Sequence, residues 1–205
     1  MSGIIAQNTL DNSGLIKAPA GGGAWNFISK TTASASATVS ITSGIDDTYK
    51  LYLITLKDVH RADGSEAWLG FNLSTDGGSN YDATKTTTVF DAYHRESDSS
   101  GLGYVTSQDL AESTADVNIS TEVQLGVDND ASLCGTIYLY DPSNTTFVKH
   151  FICTTNFMSY YDPPWSINPH IAGYANTTSA VDAIQFKMNS GNIDAGDFCL
   201  YGLTT

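Results

Sequence analysis

The chain has 205 residues, of which 15% are charged and 41% hydrophobic, and its net charge is −13. A surface this acidic repels the phosphates of nucleic acids and anionic lipids, which argues against DNA, RNA or membrane binding. The hydrophobic fraction is large enough for a core and excludes a disordered chain, while the abundance of Ser, Thr, Asn and Gly favours sheets over helices.

Residues 1–23 are predicted to form an extended N-terminal arm. The segment ends in the Gly-rich stretch Ala18–Gly23, which is typical of a hinge, and it lacks the basic start and apolar run of a secretory signal. Two interpretations stay open: a terminus without ordered contacts, or an arm whose apolar side chains lie on a neighbouring subunit. The candidate partner-binding residues of the arm are Ile4, Ile5, Leu10, Leu15 and Ile16.

Alternation of apolar and polar residues begins at Trp25 and predicts a series of strands. The stretches 25–30 and 36–41 alternate, and a further strand is predicted over 67–74. Leu51–Leu56 is apolar at nearly every position, as expected of a central strand that is covered on two sides.

Residues 83–115 carry the weakest pattern. A short strand is predicted over 86–93, whereas 95–115 has the composition of a long exposed loop, which is either functional or a tolerated surface insertion. The next stretch, 116–125, has the cleanest alternation of the chain and predicts a full strand. Its inward face would carry Val117, Ile119, Thr121, Val123 and Leu125.

The C-terminal third predicts a hairpin, a loop and a closing pair of strands. The hairpin turns at Pro142–Thr145, and the aromatic, Pro-rich stretch 158–170 is predicted to be a fixed loop. The closing strands contain Ala183–Met188 and Phe198–Tyr201, with an Asn-, Ser- and Gly-rich turn between them. The last strand must pair inside a sheet, because a frayed end could not hide its apolar side chains.

Roughly ten predicted strands at short spacing, with almost no helical period, indicate an all-β fold. We expect a single antiparallel β-sandwich, jelly-roll-like, over residues 24–205, preceded by the arm 1–23. The three cysteines, Cys134, Cys153 and Cys199, are odd in number and show no metal-ligand spacing, so we expect small buried hydrophobes.

Sequence motifs for catalysis are absent: the chain contains no HExxH, GxSxG or GxxxxGK[ST]. We therefore predict no catalytic residue and no enzymatic activity. Calcium is the one cofactor left open, because two Asp- and Asn-rich turns offer the hard oxygens that it prefers. The same residues are also the usual residues of tight turns, so both interpretations stand. The candidate metal ligands are Asp76, Asn80, Asp82, Asp128 and Asp130.

Three aromatic residues, Tyr160, Tyr161 and Trp165, form a candidate binding loop for glycan or for a protein partner. Large aromatic rings stack on sugars and anchor protein interfaces. The alternative is a loop that packs its own aromatic rings over the edge of the sandwich. Asp162 could supply one carboxylate of a glycosidase pair, but no second carboxylate can be placed opposite it from the sequence.

Three stretches carry a resemblance to a known group of proteins. They are GGGAWNFISKTTASASATVSITSGIDDTYKLYLITLKDV at 21–59, LGFNLSTDGGSNYD at 69–82 and SGNIDAGDFCLYGL at 190–203. In this order and spacing they resemble a β-rich domain that recurs in virion proteins of tailed bacteriophages. The resemblance covers Gly23–Leu203 and supplies no catalytic residue.

The resemblance implies a non-enzymatic virion structural protein, assembled in the host cytoplasm. We expect a capsid decoration or cement protein that binds the outer shell through its arm and domain base. Its partners would be the major capsid protein or other virion proteins, and further copies of itself in a homo-oligomer. The alternatives are a tail fibre or receptor-binding protein that contacts host glycan through 95–115 and 158–170, and a carbohydrate-binding module or glycan hydrolase.

Overall fold

The computed structural model describes residues 24–62, 67–121 and 123–204. Within these ranges the chain forms twelve β-strands, one 3₁₀ turn at Thr106–Gln108 and no α-helix. The strands are β1 (Trp25–Ser36), β2 (Val39–Ile41), β3 (Leu51–Arg61), β4 (Leu69–Ser74), β5 (Lys85–Arg95), β6 (Ser100–Tyr104), β7 (Val117–Asn118), β8 (Leu133–Tyr140), β9 (Lys149–Met158), β10 (Trp165–Ala175), β11 (Ala183–Met188) and β12 (Ile193–Leu203).

The strands form two antiparallel sheets that pack face to face. The large sheet has eight strands in the order β1-β12-β3-β8-β9-β10-β5-β6, and the small sheet has four in the order β2-β11-β4-β7. Aromatic rings join the sheets across one core: the ring centroids of Phe71 and Phe151 are 5.4 Å apart, and those of Phe186 and Phe198 are 4.9 Å apart. The predicted all-β fold, an antiparallel β-sandwich, is confirmed.

Alternation along β3 shows how the large sheet divides its side chains between two sides. Tyr52, Ile54 and Leu56 are buried in the core, whereas Leu51 and Leu53 between them stay partly exposed. The prediction of a strand covered on two sides is therefore wrong. The small sheet covers one side of β3, and the other side remains apolar without a layer over it in the part of the chain that the structure describes.

The two closing strands lie in different sheets. β11 is between β2 and β4 in the small sheet, and β12 is between β1 and β3 in the large sheet, which confirms that the last strand is paired. The turn between them is only Asn189–Asn192, shorter than predicted, because β12 already begins at Ile193. β12 bulges at Gly196, where φ is 133° and an added Cβ would lie 2.8 Å from Val59 Cα.

The hairpin predicted around Pro142–Thr145 is confirmed, with Leu139 of β8 opposite Phe151 of β9. The weakly patterned region is more regular than predicted. β5 has 11 residues, and β6 pairs with it antiparallel through Phe90 and Tyr104. The predicted loop 95–115 therefore contains an edge strand, whose alternate glycines hide its period from the sequence.

The strand predicted over 116–125 is wrong beyond its first residues. Among its described residues, β7 alone belongs to a strand of a sheet, and the backbone turns at Thr121, where φ is 53°. Asn118 explains the turn, because its Nδ2 donates to the Thr121 carbonyl (2.6 Å) while its Oδ1 accepts from the Ser120 amide (3.0 Å). Such local bonds between side chain and backbone replace those of a sheet ladder. Ile119 and Leu125 are nevertheless buried.

The aromatic stretch 158–170 is mostly strand. β9 runs to Met158 and β10 begins at Trp165, so only residues 159–164 form a loop, with a cis peptide bond between Asp162 and Pro163. The expectation for the cysteines holds for Cys153, which is buried. It is wrong for Cys134, which is exposed, and Cys199 is only half-buried. The exposed positions follow from alternation, which turns alternate residues of each strand away from the core.

Candidate functional site

The outer side of the large sheet, which faces away from the small sheet, carries a row of mostly apolar side chains that crosses seven strands. Cross-strand partners on one side of an antiparallel sheet stand next to each other, about 5 Å apart. The ladder places this row in continuous register from β1 to β5, with no charged residue in it. Its members are Phe27, Tyr201, Leu53, Tyr138, Ile152, Ala172 and Thr88.

The rows on either side extend this surface. Towards one end of the strands, Trp25 stands opposite Leu203, Leu51 opposite Tyr140, and Tyr174 between His150 and Thr86. Towards the other end, a row of uncharged residues runs from β12 to β6, and its neighbour on β1, opposite Cys199, is Lys30. That row is Cys199, Thr55, Thr136, Thr154, His170, Phe90 and Tyr104. We call these three rows, together with Leu102 on β6, the outer apolar face.

Aromatic contacts hold the side chains of the outer apolar face against one another. The Phe27 ring lies 5.6 Å from that of Tyr201, and Trp25 lies 6.2 Å from Tyr138. On the other half of the face, Phe90 stacks on His170 at 5.0 Å. The rings of each pair contact each other, and each pair leaves part of its ring surface exposed to solvent.

Exposure on this face is high for such apolar residues. Among the described residues, ten large hydrophobic side chains are exposed, and seven of them belong to the outer apolar face. Their exposed fractions range from 38% at Tyr140 to 73% at Leu102. At about 200 Å² for a whole side chain of this size, the seven leave roughly 700 Å² of apolar surface open. The largest patch on a typical monomer is about 300–600 Å², and larger patches mark interaction sites.

A groove of about 610 Å³ crosses the outer apolar face between β9 and β5. Small residues of β10, Ala172 and Gly173, form its floor, and Tyr140 and Tyr174 contribute to its walls. Gly173 has to be glycine, because a Cβ there would lie 2.7 Å from the Thr86 carbonyl oxygen.

Charged side chains lie at the border of the outer apolar face. Lys50 bridges Asp141 at 3.1 Å beside the row of Tyr140, and Lys30 bridges Asp197 at 3.1 Å at the opposite side. For a chain of net charge −13, three adjacent rows whose one charged neighbour on the ladder is Lys30, at the β1 edge, are a marked segregation. An apolar centre with a polar rim is the usual anatomy of a protein interface.

The second candidate surface is the aromatic loop at one end of the large sheet. Trp165 stacks with Tyr161 at 4.6 Å and with Tyr93 at 5.2 Å, and the Arg95 guanidinium lies 3.8 Å from the Trp165 ring centroid. Trp165 is thus already engaged by its own chain, whereas Tyr161 and Tyr160 are about half exposed. The structure brings Tyr161 and Trp165 together and leaves Tyr160 outside the stack, 5.7 Å from the Arg61 guanidinium.

A cleft of about 450 Å³ lies beside this stack. Trp165 lines it together with hydrogen-bonding side chains of His94, Glu96, Asn156 and Ser166. Asn156 Nδ2 donates to Ser166 Oγ (3.1 Å), which orients both groups at the rim. Aromatic rings next to amide and carboxylate groups form a composition that suits a polar ring such as a sugar.

The Asp- and Asn-rich turns have internal partners. Asp76 accepts hydrogen bonds from the Asn80 amide (2.8 Å), from Asn80 Nδ2 (2.7 Å) and from Ser74 Oγ (2.8 Å). The bonds from Asn80 hold the pKa of Asp76 at about 2. At the second turn, the Asp128 carbonyl accepts from the Ala131 amide (2.8 Å).

The structure does not gather the candidate metal ligands into a centre. Asp76 and Asn80 are joined, but Asp82, Asp128 and Asp130 add no further ligand to them. In the described ranges, no group of three or more His, Cys, Asp or Glu side chains is placed to hold a metal ion. Calcium at either turn stays a hypothesis.

The candidate arm residues Ile4, Ile5, Leu10, Leu15 and Ile16 lie outside the described residues. In the part of the chain that is described, no helix is long and apolar enough to cross a membrane. The outer apolar face was missed by the sequence interpretation, although a signal for it was present. Leu51 and Leu53 alternate with core residues, so a strand that is apolar on both sides in a two-layered sandwich indicates an apolar outer surface.

Comparison of the chain with models of protein families, with curated proteins and with solved structures finds no match.

Proposed function

We propose that this chain is a non-enzymatic structural protein of a tailed-phage virion, with the role of a capsid decoration or cement protein. The observation that carries the proposal is the outer apolar face, whose roughly 700 Å² of open apolar surface suits lasting contact with protein. The resemblance of three sequence stretches to phage virion domains supplies the virion context. A surface for protein partners, on a chain without a catalytic motif, supports a structural role in an assembly.

In this proposal the sandwich and the N-terminal segment have different binding roles. The sandwich supplies a rigid body that assembles with other proteins through the outer apolar face. Residues 1–23 contact the shell, where the major capsid protein is the expected partner. The acidic surface of the body keeps it away from the packaged genome.

Imaging of labelled protein on intact particles of the encoding phage tests the location directly. Label over the shell is expected, and label confined to the tail would contradict the decoration role. Deletion of residues 1–22 should abolish particle binding while circular dichroism shows that the body remains folded. A matched pair separates side-chain chemistry from length: Ile4→Asp with Ile5→Asp should lose binding, whereas Gln7→Asp with Asn8→Asp should retain it.

A second candidate function, recognition of host glycan at a fibre or tail tip, is favoured by the cleft beside Trp165. The exposed Tyr161 ring and the polar groups of Asn156 and Ser166 would contact the sugar. Tyr161→Ala should then reduce host adsorption at least tenfold. Phe147→Ala, at another exposed aromatic residue away from the cleft, is the control and should leave adsorption unchanged.

The same cleft provides the test of the third alternative, a carbohydrate-binding module or glycan hydrolase. Binding of isolated host polysaccharide without particles would favour the module. Release of reducing sugar from that polysaccharide would exclude the non-enzymatic proposal altogether, because it is glycosidase activity. Such hydrolysis needs a pair of facing carboxylates.

A further inference from the structure

We propose that a second copy of this chain occupies the outer apolar face, so that two large sheets pack face to face in a dimer. The inference rests on the proposed structural function and deepens it by naming the partner of that surface.

The open area is close to what a dimer needs. A stable interface buries about 800 Å² on each partner. The seven exposed side chains of the face provide roughly 700 Å², and half-buried members such as Tyr138, Tyr201 and Leu53 add to it. Contact through this one face would therefore give an interface of standard size.

Charge selects a second copy over an oppositely charged partner. Two chains of net charge −13 repel each other wherever their acidic surfaces meet. The three rows of the outer apolar face hold no carboxylate and no ammonium group. Lys30, opposite Cys199 at the β1 edge, is already paired with Asp197, so two copies can meet over the centre of the face without burying an unpaired charge. A basic partner would instead need carboxylates on this face, and its rows offer none.

Shape also suits pairing of like with like. The face is one side of a β-sheet, and two such sides stack about 10 Å apart in β-sandwiches. A surface of apolar and uncharged polar side chains can meet a copy of itself without opposing like charges, which suits a two-fold contact. The groove above Ala172 and Gly173 gives the second copy a depression for one of its exposed rings.

The test measures the oligomeric state of the full chain by sedimentation equilibrium. Wild-type protein should form a dimer. Ile152→Lys, at the centre of the face, should weaken the dimer by at least about 100-fold, because the contact would bury an ammonium group without a partner. Ile152 is 45% exposed, so the monomer should remain folded, and circular dichroism checks this. Thr75→Lys, which adds the same charge at an exposed turn after β4, should leave the dimer intact.

A second variant keeps the inference testable if Ile152→Lys does not fold. Phe27→Asp changes a side chain that is 60% exposed on the edge strand, and it should also shift the chain to monomer. A monomeric wild type at about 100 μM, or a dimer that survives both Ile152→Lys and Phe27→Asp, would overturn the inference.

Photo-crosslinking identifies the occupant. A photoreactive residue in place of Tyr138, in a mixture of isotopically light and heavy copies, should give light–heavy crosslinks to β3, β8, β9 or β12. Crosslinks to residues 1–23, or to a different virion protein in intact particles, would overturn the inference. Failure of this inference and failure of the proposed function are distinguishable. Particle binding by a monomer would leave the proposed function standing, whereas a dimer that never binds particles would refute that function alone.

Discussion

Lys85 and Lys149 are fully buried between the two sheets, where an ammonium group is rarely found. Both stand opposite Ala175 in the ladder, one on β5 and the other on β9. Lys85 Nζ donates to Asn72 Oδ1 (2.6 Å) and to the Ala83 carbonyl (2.5 Å), and Lys149 Nζ donates to two backbone carbonyls. Burial lowers the pKa of both side chains, and the pKa of Lys85 falls to about 8.

This shift predicts a pH dependence of stability. Between pH 8 and about 10 the unfolded chain keeps the proton of Lys85 while the folded chain releases it, so the free energy of unfolding rises with pH. Lys85→Met removes this effect. The stability of wild type relative to Lys85→Met should increase by about 2–3 kcal/mol from pH 7 to pH 10 in urea unfolding. A difference that stays constant with pH would show that Lys85 titrates normally, and Lys57→Met controls for the loss of one lysine.

At the scale of the elements, the bulge in β12 joins the closing strand to β3. Gly196 has a φ of 133°, and a Cβ added to it would lie 2.8 Å from Val59 Cα. A side chain there meets rigid backbone, whereas at the preceding turn Gly191 has a φ of 75° with open space around it. Substitution at Gly191 therefore tests backbone strain alone, whereas substitution at Gly196 tests strain together with a steric clash.

Alanine substitution at these glycines should therefore have unequal effects. Gly196→Ala combines a strained φ with a steric clash and should lower the free energy of unfolding by about 2–4 kcal/mol. Gly191→Ala carries only the strain and should cost about 1 kcal/mol. Denaturant unfolding of both variants measures the difference. Equal effects would mean that the clash with Val59 is relieved by movement of β12.

Elements that alternate strictly and pair with a neighbour in sequence could be predicted, as β8 and β9 were. Elements shaped by local bonds could not. Stretch 116–125 has the better alternation, yet Asn118 directs its backbone into a turn, because an amide can satisfy its neighbours' backbone groups without a partner strand. Nor could alternation reveal that β11 and β12 join different sheets, since pairing across the chain leaves no mark in local sequence.

Asn118 offers a direct test of this explanation. Its buried Nδ2 donates to the Thr121 carbonyl (2.6 Å) and to Gln108 Oε1 (2.7 Å). Asn118→Ala leaves the buried groups around it without a partner and should destabilise the fold by about 2–3 kcal/mol in urea. Asn144→Ala, at a partly buried position in the turn between β8 and β9, is the comparison and should cost less. A smaller loss at Asn118 than at Asn144 would refute its role in shaping the turn.

The candidate surfaces were predictable to different degrees. Tyr161 and Trp165 were found because a cluster of aromatic residues among prolines stands out in the sequence. The outer apolar face was not found, since its side chains come from eight strands and meet only through the order of the large sheet. Phe27 and Ile152 are 125 positions apart in the chain and share one row of the face.

At the scale of the whole molecule, the acidic surface and the uncharged face oppose each other in self-association. Repulsion between two copies of charge −13 acts over about 10 Å at 0.1 M salt and farther at lower salt. Contact through the outer apolar face has no ion pair at its centre for salt to weaken. Raising NaCl from 20 mM to 200 mM should therefore tighten the dimer about three- to tenfold, measured as its dissociation constant by sedimentation equilibrium. An interface built on ion pairs would respond in the opposite direction, so dissociation on addition of salt would contradict a face-to-face dimer.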